Sequence, residues 1–336
     1  MAKNQINIAL FGLGRIGQMH ARNLNDNKEF NLKYVYDLNT NLSQKISNKL
    51  NCRSIIDPNI AFKDKNISCI FIATSTSTHL KFIEKALKNN KYVFCEKPLD
   101  INLKKIKDCK KKIKNFLPKV QLGFNRRYDP SHNSLKKNLI EGKIGKLEKI
   151  IITSRDPAPP SVSYLKASGG IFKDMMIHDF DLARFYLQQD EFKSIFAVGS
   201  NLNDKRFKKL KDFELATVIL KSKKGIQCVI TNSRHCSFGY DQRVELFGNK
   251  GMIISENKRS FETSLFTKDS TNKKTNLMNF FIERYSDAFK IQLAYLAKMC
   301  KEKKRPLANF DDGLESLKIA EHAMKSIKSK KFENIN

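Results

Sequence analysis

The sequence predicts an α/β protein. A doubly wound Rossmann domain is expected over residues 1–124, and an α+β domain with a large, mainly antiparallel open sheet over residues 125–330. Three observations predict this. The apolar run Ile6-Asn7-Ile8-Ala9-Leu10-Phe11 leads at once into Gly12-Leu13-Gly14-Arg15-Ile16-Gly17, and the next apolar run ends in Asp37, roughly 20 residues beyond the last glycine as a dinucleotide-binding βαβ unit requires. Short apolar runs then alternate with helical patterns up to residue 124, as parallel strands buried on both faces do. Beyond residue 147 several segments instead place apolar residues at every second position, the mark of an antiparallel sheet with one covered face.

Taken in order, strand 6–11 feeds the glycine turn and a helix to about residue 27, and strand 32–36 delivers Asp37. Gly12 permits the tight turn, Gly14 lets backbone approach a pyrophosphate, and Gly17 lets helix and strand pack closely. With Arg15 and Ile16, these residues present a helix N-terminus to the phosphates. Asp37 would accept from the adenosine ribose hydroxyls and repel a 2′-phosphate, so the expected cofactor is NAD. A helix at 42–50, a short strand at 53–56 and a clear strand at 69–73 follow. Thr74-Ser75-Thr76-Ser77-Thr78-His79 then forms a hydroxyl-rich strand end and the cap of a helix to residue 89. Strand 92–95 brings Glu96-Lys97-Pro98 to the same edge, a lysine-rich helix follows, and strand 119–124 closes the sheet. Strand C-ends line the ligand crevice of an open α/β sheet, so Thr74, Ser75, Thr76, His79, Glu96 and Lys97 are cofactor-side candidates.

In the second domain, Arg126, Arg127 and Tyr128 precede Asp129-Pro130, the expected cap and first turn of a helix over 131–141. After a strand at 147–153, Arg155-Asp156-Pro157-Ala158-Pro159-Pro160 cannot continue a sheet and reads as a rigid loop. It could place Arg155 or Asp156 at ligand hydroxyls, or serve as a turn alone. Ser168-Gly169-Gly170 is expected to open one helix running to residue 187. Helical spacing puts Asp174, His178 and Asp181 on one stripe, with Phe172, Met176, Phe180, Ala183 and Leu187 opposite. Met175, Ile177 and Leu182 border the polar stripe, as in a pocket wall. An imidazole beside carboxylates can take a proton near neutral pH, although a satisfied histidine would show the same spacing. Strands are expected at 195–199, 214–220, 225–232, 243–248 and 251–255, a loop at 267–274, closing helices at 280–300 and 311–329, and a frayed tail from 330.

The chain has 336 residues, ample for two cores. No apolar run approaches the ~20 residues of a membrane span, and no signal segment opens the chain, so a cytoplasmic protein without a membrane partner is expected. Seven cysteines without C-x-x-C spacing imply neither a disulfide framework nor a metal site. Lys plus Arg number 63 against 34 Asp plus Glu, a formal charge of +29. That excess raises nucleic acid as a partner. The lysines are spread along the whole chain and outnumber Arg, which reads phosphate and bases better. They are therefore read as compositional bias, the run from Lys104 to Lys114 being a solvated helix face and nucleic acid no partner.

In the order Gly12-x-Gly14-x-x-Gly17, Ala73-Thr74-Ser75-Thr76-x-Thr78-His79 and Glu96-Lys97-Pro98, the chain resembles the Gfo/Idh/MocA oxidoreductase family. Gly123-Phe124-Asn125-Arg126-Arg127-Tyr128-Asp129-Pro130, the 154–160 segment, Gly169-Gly170-Ile171-Phe172-x-Asp174-x-x-Ile177-His178-Asp179-Phe180-Asp181 and Gly239-Tyr240-Asp241-Gln242-Arg243 resemble its inositol-oxidising branch. The resemblance spans nearly the whole chain and departs only in detail, as at Asn125. It implies a catalytic set of Lys97, Asp174 and His178, with Arg127, Asp156 and Tyr240 among the substrate contacts. The implied activity is NAD-dependent oxidation of a ring secondary alcohol of myo-inositol to the 2-keto product, with another cyclitol, pyranose or deoxy sugar as the alternative. A homo-oligomer, dimer or tetramer, is implied as well, the open sheet face being its natural surface. A redox-sensing nucleic-acid protein on the same scaffold would need none of the three catalytic groups.

Overall fold

The computed structural model describes residues 5–335. The chain divides into two compact units, one running to Tyr128 and taking in Ala288–Glu315, the other holding Asp129–Asp287 and continuing from Ser316. It therefore passes between units near residues 128, 287 and 315, where the sequence reading drew one boundary at 124.

In the first unit the strands are β1 (Ile6–Phe11), β2 (Phe30–Tyr36), β3 (Arg53–Ser54), β4 (Cys69–Ile72), β5 (Tyr92–Cys95) and β6 (Val120–Leu122). They pair in parallel in the order β3-β2-β1-β4-β5-β6, the doubly wound arrangement whose strand order reverses between β1 and β4. Helices α1 (Arg15–Asn25), α2 (Thr40–Leu50), α3 (Asn59–Lys63), α4 (Thr76–Lys88) and α5 (Leu103–Ile113) connect them. The lysine-rich α5 buries Ile106, Cys109 and Ile113, so its lysines form the outer face. Ile8, Leu10, Leu24, Val35 and Phe71 make one core with Leu293, Leu296 and Met299, which explains why a segment so late in the chain belongs to this unit. Burial of such side chains contributes about 1.5–3 kcal/mol each.

The second unit opens on α6 (Pro130–Ile140), where Asp129 accepts from Ser131 N and His132 N and pairs with buried Arg284 at 2.7 Å. Strands β7 (Leu147–Arg155), β8 (Phe192–Ser200), β9 (Leu215–Ser222), β10 (Gln227–Ser233), β11 (Asp241–Gly248), β12 (Gly251–Ser255) and β15 (Glu333–Asn334) form a seven-stranded sheet in the order β12-β11-β7-β10-β9-β8-β15. Only β7 and β10 run parallel. Ile150, Ile152, Val218, Leu220, Ile230, Val244 and Leu246 fill its buried face. Helices α7 (Val162–Ser168), α8 (Ile171–Asp174), α9 (Ile177–Leu187), α10 (Lys205–Lys209) and α11 (Phe281–Arg284) complete the unit, while α12 (Ser286–Glu302) and α13 (Phe310–Ser329) run across the later boundaries.

Three expectations are corrected. The 267–274 loop is most of a hairpin, β13 (Ser264–Thr267) with β14 (Ser270–Lys274); a segment polar at every position shows no alternation to betray a strand. The described part of the tail is ordered: Glu333 and Asn334 pair with β8 and Ile335 N donates to Lys193 O, covering a sheet edge, while Asn336 lies outside the described residues. The single helix expected over 168–187 is interrupted. Gly169 and Gly170 both have positive φ (84° and 85°), ending α7, and a Cβ on Gly170 would stand 2.8 Å from Asp212 Oδ1. His178 N and Asp179 N then reach back only three residues, to Met175 O and Met176 O, which separates α8 from α9.

Candidate active site

In the first unit the glycine turn has the shape the sequence implies. Gly12 adopts φ +91° against Ala73, and a Cβ on Gly17 would stand 2.0 Å from Gly12 O. Nothing lies within 4 Å of where a Cβ on Gly14 would be, and no side chain caps α1, which starts at the next residue. The first amides of an eleven-residue helix thus face open space beside an exposed Gly14 and Arg15 and a half-exposed Ile16, a cradle that fits a pyrophosphate. Asp37 accepts from Leu13 N (2.6 Å) through one oxygen and from Asn39 N (2.8 Å) through the other. Each oxygen keeps a lone pair for a ribose hydroxyl. Exposed Ser75 and half-exposed Thr74 and Thr76 stand at the turn after β4, with Thr74 Oγ1 bonded to Thr78 Oγ1 at 2.6 Å; with the glycine turn after β1 this turn flanks the strand-order reversal. The residues present fit NAD.

Lys97 is half-buried, and the turn that bears it is gripped on both sides by buried histidines. Glu96 accepts from Lys97 N through Oε2, and its Oε1 lies 2.8 Å from His20 Nε2. His20 sits on α1 among Phe71, Phe94 and Phe289. His79, on α4, has Nδ1 2.8 Å from Pro98 O and Nε2 3.0 Å from Thr74 O. Burial pushes its pKa down, and the two carbonyls only partly oppose that. A neutral ring carries one N–H, so it donates to one of these carbonyls at a time.

The second unit supplies the acid and histidine set. Asp174 is 6% exposed at the end of α8, accepting from Tyr164 Oη at 2.7 Å through Oδ1 and from Arg234 Nη1 at 3.0 Å through Oδ2. His178 is half-buried in the first turn of α9. Its neighbour Asp179 is wholly buried and accepts from Ser154 Oγ on β7 (2.5 Å) and from Asn232 Nδ2 on β10 (2.8 Å). Hydrogen bonds to a charged acceptor contribute about 1.5–3 kcal/mol each, so this carboxylate fixes the start of α9, and with it His178, on two sheet strands. Asp156 is partly exposed, its N–H donating to Ser233 O and its Oδ2 3.9 Å from Arg234 Nη1.

Several expected site residues also have structural partners. His79 and Glu96 hold the Lys97 turn. Arg127 is buried, donating through Nη1 to Leu307 O and pairing through Nη2 with Asp312 at 2.8 Å. Tyr240 is buried with its ring edge-on to Tyr285, and its N–H donates to Met278 O. Arg155 pairs with buried Asp241 at 2.8 Å. Asp181 is fully buried, so the expected acid-His-acid stripe reduces to Asp174 and His178. His20, Tyr164, Asp179 and Arg234 were missed. For Asp179 a signal existed, an acid falling among the apolar positions; the other three show none without the fold.

Among the described residues no helix is long and apolar enough to cross a membrane, no metal-holding cluster occurs, and all seven cysteines are free. Two family models match, the Gfo/Idh/MocA oxidoreductase family with its NAD-binding Rossmann fold over residues 6–124 and the Gfo/Idh/MocA C-terminal domain over 132–254. The chain is 38% identical to myo-inositol 2-dehydrogenase of Thermotoga maritima over 96% of its own length and 97% of the relative's. The crystal structure of a myo-inositol dehydrogenase from Corynebacterium glutamicum superposes with a TM-score of 0.95 at 37% identity, covering 99% of each chain. That of scyllo-inositol dehydrogenase from Lactobacillus casei, with bound NAD(H) and scyllo-inositol, gives 0.90 at 25% identity over 99% of each. With an open glycine cradle in one unit and an engaged acid and histidine in the other, the chain belongs to the Gfo/Idh/MocA family of oxidoreductases and carries its NAD-binding Rossmann domain.

Proposed function

We propose that the chain oxidises one ring hydroxyl of myo-inositol to the ketone with NAD. The observation that carries this reading is the 38% identity to a myo-inositol 2-dehydrogenase along nearly both lengths, in a chain that also has Lys97, Asp174 and His178 on well-anchored segments. The glycine turn and Asp37 would hold the cofactor, which when bound supplies the acceptor for the hydrogen and electron pair leaving the ring carbon. His178 takes the hydroxyl proton. Lys97 supplies a hydrogen-bond donor that stabilises charge developing on a substrate oxygen. Asp174, a hydrogen-bond acceptor fixed on both oxygens, orients the ring, and Asp156 accepts from a neighbouring hydroxyl.

The test is a panel of myo-inositol, scyllo-inositol, other cyclitols, pyranoses and deoxy sugars, each with NAD and with NADP, followed by cofactor reduction. Turnover highest on myo-inositol with NAD is expected. A preference for scyllo-inositol, the substrate of the Lactobacillus relative, would move the reading within the cyclitols, and a pyranose preference would overturn it.

The reading includes a cytoplasmic homo-oligomer. On the outer face of the large sheet, Ile254, Glu245, Ile151, Val229, Ile219 and Phe196 stand side by side on successive strands, with exposed Val198, Phe247 and Met252 close by. A row with one charge in six is a surface that a second copy would cover. Light scattering of the parent and of Ile219→Lys checks this, the variant being expected to dissociate.

A further inference from the structure

We propose that Arg234 is a positioning residue of this reaction, a buried guanidinium that fixes the Asp174 carboxylate in the orientation the substrate meets. The inference rests on the functional reading above and concerns a residue that reading does not use. Arg234 immediately follows β10, its N–H donating to Glu214 O at 2.8 Å, and its side chain is almost wholly buried. Nη1 bonds Asp174 Oδ2 at 3.0 Å while Tyr164 Oη bonds Oδ1 at 2.7 Å. With one donor on each oxygen, the carboxylate plane cannot turn without breaking a charge-assisted bond. The same Nη1 lies 3.9 Å from Asp156 Oδ2, so one nitrogen sets the spacing of both carboxylates assigned to the substrate.

Beyond Nη1 the guanidinium is not spent on other protein groups. Nε and Nη2 are buried, and among the described residues no protein group accepts from either. Replacing a buried ion pair by apolar side chains of similar volume is often neutral or stabilising. Burial opposes the charge on Arg234, and Asp174, Asp156 and Asp212 outweigh it. An apolar pair in place of both Arg234 and Asp174 would pack at no greater cost, so the visible effect of the cation is on Asp174.

The experiment is a double-mutant cycle on the full-length protein with NAD and the best cyclitol of the panel. Arg234→Met is expected to lower kcat about 100-fold, the scale of a misplaced reacting group, with NADH binding unchanged. Arg234→Lys, which keeps a charge but not the planar fork, should lose roughly tenfold. In the Asp174→Asn background either substitution should cost less than about threefold, because a residue acting through Asp174 has nothing left to position. A structural role would cost the same in both backgrounds and would lower the melting temperature of the double variant, which is expected to melt no lower than Asp174→Asn alone. Additive losses, or an Arg234→Met enzyme with parental kcat, would overturn the proposal. If Arg234→Met fails to fold, the cycle with Arg234→Lys decides by the same criterion. A parent without turnover on any cyclitol would sink the functional reading, and the role of Arg234 with it; a normal parent with an additive cycle sinks only the latter.

Discussion

Lys97 and Asp174 are held by opposite means. The lysine turn is gripped through backbone, by Glu96 on Lys97 N and by His79 on Pro98 O, with two buried histidines anchoring the grip to α1 and α4. Asp174 is held through its own carboxylate, by a tyrosine hydroxyl and a guanidinium that come from α7 and the end of β10. A backbone grip fixes where the lysine turn stands. A side-chain grip fixes the orientation of the carboxylate itself and uses up part of its hydrogen-bonding capacity. The first sets the position of a residue, the second the direction of its polar atoms.

The largest expected effect tests whether both halves serve one reaction. Lys97→Ala and His178→Ala should each lower kcat by about 10²–10⁴-fold with NADH binding retained, checked by steady-state kinetics beside cofactor fluorescence; a variant with parental kcat would remove that residue from the set. Next, Asp179→Ala takes away the anchor of α9; Asn232 Nδ2 loses this acceptor, and Ser154 Oγ is left to bond Gln242 Oε1 at 2.9 Å. It should cost about 2–3 kcal/mol in denaturant unfolding and lower kcat as well, whereas a loss of stability alone would separate the anchor from His178.

A smaller effect comes from His79, whose folded-state pKa lies below its ordinary value because of burial. Below about pH 6.5 the unfolded chain binds a proton that the buried ring refuses, so stability is complete above that pH and falls as pH drops toward the folded pKa. His79→Gln should flatten this part of the curve, measured as denaturation midpoints between about pH 5 and pH 7. An unchanged slope would mean that other groups set it. The smallest is Tyr164→Phe. It removes the Tyr164 Oη donor from Asp174 and should cost about 0.5–1.5 kcal/mol in kcat/KM, less than the loss from Arg234.

The sequence made one half of this comparison far more legible than the other. Gly12, Gly14, Gly17 and Asp37 are readable because the turn they build is local and each has a steric or charge requirement at a fixed spacing. Lys97 could be placed at the strand end for the same reason. What holds Lys97 was not readable, since His20 meets Glu96 across 76 residues of chain. Asp174 and Arg234 are likewise 60 residues apart, and only the turn that returns β10 beside β7 brings them together. Helical periodicity failed at residues 168–187 because it registers apolar spacing and not where successive glycines or a three-residue hydrogen bond interrupt the coil. The partners that brace Arg127, Tyr240 and His79 were not readable either, because each contact is made across the fold and leaves no local signature.

The break between α8 and α9 separates two adjustments that a continuous helix would lock together. Asp174 rides on a segment pinned at its start by Asp212, which accepts from Ile171 N at 2.9 Å, and His178 on one pinned to the sheet by Asp179. Substitutions around Asp212 can shift the acid without dragging the histidine, and changes under Ser154 or Asn232 can do the reverse. For an engineer seeking a different ring stereochemistry, the two segments are separate dials, and libraries confined to one at a time would vary the placement of Asp174 or of His178 singly.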